Sequence, residues 1–355
     1  MTTRERRVRC PICADEFTWP DDPTVWTYKE ADDSYEHFDI SGLPRVKQDD
    51  LVRNGYRQCP NPSGDASVHY LPATYADYSD PLVIGLVGAP ASGKTHLLTA
   101  MIRQAYLNGL ASYGISVAAL DFRRHVHFRE QYVKTFERGG ALPGTSTGVT
   151  EAADILLLRG TTGERPVVFF DVSGEDLQST DVRNRSARFL LGVNAVIFVH
   201  APEDPLETGQ SAEASENRAF DLAIERLRAR QVPVAIAVSK SDRLRYVPPA
   251  DRWLHRGDER VLSAARIHAE SADVYAYLHH RGSAASLRPF EAFPRCTLHF
   301  ASASGGEGFP VDPDEPEVKF FPHGFRPTRV LEPLVSILAM TGVIPGTEAE
   351  KVGRP

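Results

Sequence analysis

From residue 80 onward the chain alternates short, nearly unbroken apolar runs with longer amphipathic segments. The runs read PLVIGLVG, ADILLL, PVVFFDVSG, NAVIFVH, PVAIAVSKSD and CTLHFASAS. Apolar runs of this length suit strands buried on both faces, and the segments between them suit the helical crossovers of an α/β sheet. Behind the first run, Leu97, Leu98, Met101, Ile102 and Ala105 recur at helical spacing, which predicts a helix packed on the sheet. Val330, Leu334, Ile337 and Leu338 mark a final amphipathic helix, and the residues after 345 are expected to fray as a tail. Two stretches interrupt the pattern. One, at about 121–140, is polar and ends at Gly139 and Gly140; the other, at about 246–290, contains the helical-looking DERVLSAARIHAESADVYAYLHH.

Residues 1–79 differ in texture. They are rich in Pro, Asp, Tyr and Trp and hold few long apolar runs, so they are expected to form a small loop-rich module that needs help to stay folded. The expected division is therefore a module over 1–79, a nucleotide-type domain over 80–345 and a tail over 346–355.

The first apolar run ends in GAPASGKT, with Gly88, Gly93, Lys94 and Thr95 in the spacing of a phosphate-binding P-loop. Its glycines permit the tight turn that aims backbone N–H groups at phosphate, and the helix behind it adds its positive end. Gly88, Ala89, Pro90, Ala91, Ser92, Gly93, Lys94, Thr95 and His96 are the expected phosphate-binding set. Lys94 is expected on the terminal phosphates and the Thr95 hydroxyl on Mg²⁺. The fold class that follows is α/β, a three-layer P-loop NTPase fold with a mostly parallel sheet and helices on both faces. A small zinc-ribbon-like module precedes it.

Three later strand ends narrow the nucleotide. In DVSGED, Asp171 is placed to hold the Mg²⁺ shell, and Gly174 to offer its N–H to a γ-phosphate and pivot when that phosphate leaves. In VSKSD, the Asp242 carboxylate can accept from the N1 and N2 groups of guanine, a donor pair that adenine lacks, and Lys240 can lay its stem over the base. Ser239 stands where Asn or Thr is usual and keeps a hydroxyl with a shorter reach. In ASASGG, Ser302, Ala303 and Ser304 offer a backbone N–H to guanine O6. All these elements fall at C-terminal strand edges, where doubly wound sheets bind ligands.

Catalytic expectations rest on Lys94, Gly174, a first-switch Thr and the residue after Gly174. Thr145, Thr147 and Thr150 all lie ahead of the second predicted strand, and spacing favours Thr150. Glu175 occupies the position of the residue that orients attacking water. A carboxylate can order water, but it also sets negative charge beside the γ-phosphate, and Pro90 stiffens the loop. Slow intrinsic hydrolysis is expected; Arg123, Arg124 and Arg129 of the first insertion could in principle assist, but exposed salt bridges are their favoured role. The alternatives are a GTP-binding scaffold with little hydrolysis and a P-loop ATPase or kinase.

In the N-terminal module Cys10 and Cys13 form a C-x-x-C knuckle of the kind that holds zinc. The second knuckle, CPNP, starts at Cys59 and has Pro62 where its second Cys is expected. Cys10, Cys13, Cys59 and His69 form the expected Zn²⁺ set, with His37 as the less favoured fourth ligand and a metal-free knuckle as the other reading. Cys296, inside the last strand, is expected to be a core thiol.

Composition excludes several classes. Formal charge is −7, against the basic surface that nucleic-acid binding needs, although Arg4, Arg6, Arg7 and Arg9 cluster at the start. No apolar run spans a bilayer and the polar N-terminus lacks a signal peptide, so the expectation is a cytoplasmic protein without a membrane segment. Four cysteines do not make a disulfide framework.

The ordered motifs over about 80–345 resemble the translation-factor-related class of GTPases that includes Ras-like proteins. CPIC, HYLP, LPGT, DVSGED and RPTRVLEPL together resemble a narrower bacterial group, the double-GTPase family, which carries a zinc-ribbon-like module ahead of its GTPase domain. The resemblance implies a Mg²⁺-dependent switch that binds GTP and GDP and hydrolyses GTP. It also implies a role in conflict or signalling systems and a protein partner, a second GTPase among them. Through LPGT the resemblance favours Thr145 over Thr150 as the first-switch threonine, and Thr145 is the one expected.

Overall fold

A computed structural model describes residues 6–64, 66–142, 152–173, 192–202, 210–256, 259–312 and 315–353. The N-terminal part holds a small antiparallel pair, β1 (Arg7–Arg9) and β2 (Glu16–Thr18). Beside it lies an antiparallel sheet of β3 (Thr24–Lys29), β4 (Ser34–Asp39), β5 (Tyr56–Gln58) and β6 (Tyr70–Pro72), in the order β4-β3-β5-β6.

The main sheet is built from β7 (Leu82–Gly88), β8 (Ser116–Ala119), β9 (Ala152–Gly160), β10 (Gly163–Ser173), β11 (Ala195–His200), β12 (Val234–Val238) and β13 (Cys296–Phe300). Its order is β13-β12-β11-β7-β10-β9-β8, with β7 at the centre. The five strands from β13 to β10 are parallel; β9 runs against both β10 and β8. β7, β11, β12 and β13 are buried along their whole length, as their unbroken apolar sequences demand.

Helices cover both faces. The helix Lys94–Gln104 buries Leu97, Leu98, Met101 and Ile102, and with Leu334, Ile337 and Leu338 of the helix Glu332–Met340 it closes one face. Phe220, Ala223 and Leu227, with Val274, Leu278 and Leu287, close the other. Cys296 is buried, as expected of a core thiol.

The sequence pattern missed three features. ADILLL belongs to β9, which joins β10 through a tight turn at Gly160–Gly163 rather than through a helix. Edge strand β8 is four half-exposed residues, too short to stand out. The hairpin β14 (Phe309–Asp312) and β15 (Glu315–Phe320) arises from a polar stretch and closes against the first insertion, where Ala141 N donates to Lys319 O at 2.9 Å and Phe321 N to Gly139 O at 2.7 Å.

The expected frayed tail is corrected as well. Residues Thr347–Lys351 form a short helix with Ala349 and Val352 buried, and the Arg295 guanidinium donates to Val352 O at 2.8 Å and Met340 O at 2.9 Å. Exposed carbonyls cost little in water, but here the half-buried Arg295 guanidinium collects them.

Candidate functional site

The C-terminal ends of β7, β10, β11, β12 and β13 share one edge of the sheet, and the sequence-predicted nucleotide residues within the described segments gather there. At the tip of β7 the chain leaves no room for a side chain at Gly88. An added Cβ would lie 2.5 Å from the Val199 carbonyl oxygen and 2.8 Å from the Ser92 hydroxyl. Gly93 turns the chain into the following helix at φ 85°, a left-handed conformation that glycine adopts without strain. Ala91 holds φ 59° without that freedom, which costs about 1–2 kcal/mol and marks a loop over-determined by its surroundings.

Lys94 is buried under this turn, with Nζ donating to the Gly88 and Ala89 carbonyls, both at 2.9 Å. Thr95 Oγ1 donates to Asp171 Oδ2 at 2.7 Å. The contact follows from register, since Asp171 lies opposite Leu86 and Ser173 opposite Gly88, so the end of β10 stands beside the phosphate loop. Burial pushes the His96 imidazole down to about 4, and Lys240 acts in the same direction. The ring is therefore neutral, and its Nε2 accepts the Leu142 N–H at 3.2 Å, just ahead of residues 143–150.

The end of β12 is tied to the loop after β7 by one short hydrogen bond. The Ser239 hydroxyl lies 2.5 Å from the Ser92 carbonyl and 3.0 Å from that of His200, and its proton goes to the nearer Ser92. The Lys240 stem crosses the loop near Gly93, its Cε 3.8 Å from where a Cβ would stand. Ser302 Oγ donates to Asp242 Oδ1 at 2.5 Å and accepts from Gly305 N at 3.0 Å. Ala303 packs on the core, while Ser304 donates to the Gly306 carbonyl at 2.8 Å.

Thr145, Thr147, Thr150, Gly174 and Glu175 lie outside the described residues. Of the insertion arginines, Arg123 is turned toward the N-terminal sheet. Its guanidinium sits 4.0 Å over the Tyr28 ring and donates to Tyr35 Oη at 2.8 Å and to Asp33 Oδ1 at 2.6 Å. Tyr56 Oη donates to Asp121 Oδ1 at 3.1 Å, a second bond between the N-terminal part and this insertion.

Away from the sheet edge, Cys10, Cys13, Cys59 and His69 are all buried and bring one ligand atom each within 4.8 Å of one another. Cys10 Sγ lies 3.2 Å from His69 Nε2, and the Cys13 and Cys59 sulfurs are 3.7 Å apart. Those separations fit the edges of a tetrahedron with Zn–S bonds near 2.3 Å and a Zn–N bond near 2.0 Å. The amides of Ile12 and Cys13 point at the Cys10 sulfur, and that of Asn61 at the Cys59 sulfur. His69 Nδ1 donates to the Ser67 carbonyl at 2.7 Å, which fixes the tautomer that leaves Nε2 free to ligate. Hydrogen bonds from Cys10 and Cys13 hold the Cys59 thiol well below its usual range, while burial pushes Cys10 up. His37 is on an exposed strand, its ring tilted against Trp26, and takes no part.

Sequence reasoning missed a buried group behind the end of β13, formed by Glu270, His299, Arg329 and Glu332. Its signal was present, since Glu270 falls within the apolar stripe that holds Val274 and Leu278, and Arg329 sits one residue before the apolar Val330-Leu331.

The sequence model of the Double-GTPase 2 family matches residues 82–285. No curated protein matches the chain. Among solved structures, similarity extends to the signal recognition particle receptor SRb-GTP/SRX complex from Chaetomium thermophilum, at 13% identity, covering 68% of this chain and 96% of that one, with a TM-score of 0.30. It extends also to sup35 complexed with GDP, at 11% identity, covering 65% of this chain and 39% of that one, with a TM-score of 0.30. Scores of that size support no inference.

Proposed function

The chain belongs to the Double-GTPase 2 family and is thus a GTP-binding GTPase; from that premise we propose a Mg²⁺-dependent molecular switch that hydrolyses GTP slowly when alone. The observation that carries the reading is the joining of four strand ends, those of β7, β10, β12 and β13, by three hydrogen bonds. Ser239 binds the phosphate loop at Ser92, Asp242 is held by Ser302, and Thr95 meets Asp171.

In this reading the loop N–H groups, the start of the helix Lys94–Gln104 and Lys94 bind the phosphates. Asp242 accepts from the two guanine donors that adenine lacks, and Lys240 covers the base. Thr95 and Asp171, already in contact, fit Mg²⁺, an ion that would offset phosphate charge. Thr145 is the proposed first-switch threonine and Gly174 the proposed γ-phosphate sensor. Glu175 orders water but repels the γ-phosphate, and Pro90 limits how the loop adjusts; both favour slow turnover.

Residues 1–79 act in this reading as a zinc-binding interaction module, with the GTPase domain over 80–345 and a protein partner, a second GTPase in a bacterial signalling or conflict system, beyond it. The Cys10, Cys13, Cys59 and His69 geometry supports zinc. Among the described residues no helix is long and apolar enough to cross a membrane; the proposed place of the protein is the cytoplasm.

A single-turnover phosphate-release assay on the full chain, beside Lys94→Ala, tests the proposal. Slow release that the substitution abolishes is expected. Release at the rate of a partner-activated GTPase would overturn the slow-switch reading, and no release above the Lys94→Ala background would favour the scaffold.

A further inference from the structure

The buried charges behind the end of β13 share one arrangement that the GTPase reading does not use. Ser302, the residue that holds Asp242, pairs in both directions with Thr328: Ser302 N donates to Thr328 O at 2.9 Å, and Thr328 N to Ser302 O at 2.8 Å. Arg326 N also donates to Ser304 O at 3.0 Å. The RPTRV segment therefore meets the ASAS loop through an isolated antiparallel bridge at Ser302 and Thr328.

Both arms of that pairing are gripped by one carboxylate. On the β13 side, Glu270 accepts from Phe300 N at 3.1 Å and contacts His299 Nδ1 at 2.8 Å. On the other side, the Arg329 guanidinium donates to Glu270 at 2.8 Å and approaches Glu332 at 3.5 Å. Arg329 is 1% exposed, lies over the Trp253 ring at 5.5 Å and holds φ 56°. An arginine side chain rarely adopts that backbone conformation unless something fixes it, and the Glu270 pair supplies the fixture. Burial alone would raise the Glu270 carboxyl, yet His299 and Arg329 together hold it below its usual range, so the grip is ionic at neutral pH.

We propose that Glu270 and Arg329 are positioning residues for guanine selectivity. Their ion pair fixes the Ser302–Thr328 pairing, which sets the Ser302 hydroxyl and through it the orientation of the Asp242 carboxylate. Neither residue touches the nucleotide. The inference rests on the reading of Asp242 as the guanine-binding carboxylate.

The test compares GDP with IDP, which lacks only the exocyclic amine that Asp242 is proposed to accept, on the full-length metal-bound chain. The wild type should prefer GDP, and Asp242→Ala should erase the preference; failure of either overturns the guanine reading itself. With that in place, Glu270→Gln should lower the GDP-to-IDP affinity ratio about tenfold while IDP binding stays within about twofold. A merely structural role would weaken both nucleotides alike. Arg329→Lys keeps the charge but loses the two-pronged bond of Nε at 3.3 Å and Nη2 at 2.8 Å to Glu270, and should give an intermediate ratio; it also carries the test if Glu270→Gln does not fold. A wild-type ratio in folded Arg329→Lys, or an equal loss of both nucleotides, would overturn the proposal.

Discussion

The Ser239 hydroxyl donates to the Ser92 carbonyl at 2.5 Å, and so binds the tip of β12 to the phosphate loop. The two residues stand 147 positions apart in the chain, yet both are buried and meet between the loop after β7 and the end of β12. Removing the hydroxyl in Ser239→Ala should weaken GDP binding by about 1–1.5 kcal/mol, roughly tenfold in Kd, and leave the melting temperature nearly unchanged. Equilibrium titration with a fluorescent guanine nucleotide measures it. Unchanged affinity would mean that the contact only braces the fold.

Thr95 and Asp171 lead to a second expectation, about the metal. If their contact at 2.7 Å is the protein side of a Mg²⁺ site, chelation should weaken GDP binding to the wild type and have little effect on Thr95→Ala or Asp171→Asn. Comparable sensitivity to chelator in all three proteins would place the ion elsewhere.

The Cys10, Cys13, Cys59 and His69 group predicts about one zinc per chain by elemental analysis, and loss of that metal in Cys59→Ser or His69→Ala. The module has a small core, so the loss should also lower stability. Because Arg123 and Tyr56 tie this part to the first insertion, amides around residues 122–137 should exchange faster in the metal-free protein. A metal-free protein with unchanged exchange there would show that the two parts are energetically independent.

Stability should depend on pH through Glu270. Its carboxyl is held below the ordinary 4.5 despite complete burial, because His299 and Arg329 favour the charged form. Such a group contributes fully above the unfolded value near 4.5, and its contribution is lost as pH falls through the lower folded value. Glu270→Gln should cost about 3 kcal/mol at pH 7, as expected when one partner of a buried pair is removed. The gap from the wild type should narrow as pH drops below 4.5. Denaturant melts across that range check the sign; a gap constant with pH would mean that the Glu270 charge is not what stabilises the cluster.

The sequence revealed those parts of the fold and site that depend on local chemistry. The buried strands announced themselves because both faces are covered, which leaves no room for polar alternation in stretches such as Val234–Val238. The phosphate loop was legible because Gly88 and Gly93 answer to steric demands of a single turn. What stayed hidden depends on contacts between distant segments. Four half-exposed residues at β8 carry too little apolar pattern to stand out, and β14 and β15 are polar enough to read as loop. The left-handed Arg329 makes sense only once Glu270, 59 residues away, is known to face it. The tail beyond residue 345 read as frayed because its anchor, Arg295, lies in the bend just before β13, 57 residues ahead of Val352.

Competition between GTP and ATP for a bound fluorescent guanine nucleotide, on the wild type and on Asp242→Ala, tests the central claim most directly. GTP should displace the probe at concentrations at least about a hundredfold below those of ATP, and Asp242→Ala should lose most of that preference while still binding through its phosphate loop. Equal displacement by the two nucleotides, or an undiminished guanine preference in Asp242→Ala, would contradict it.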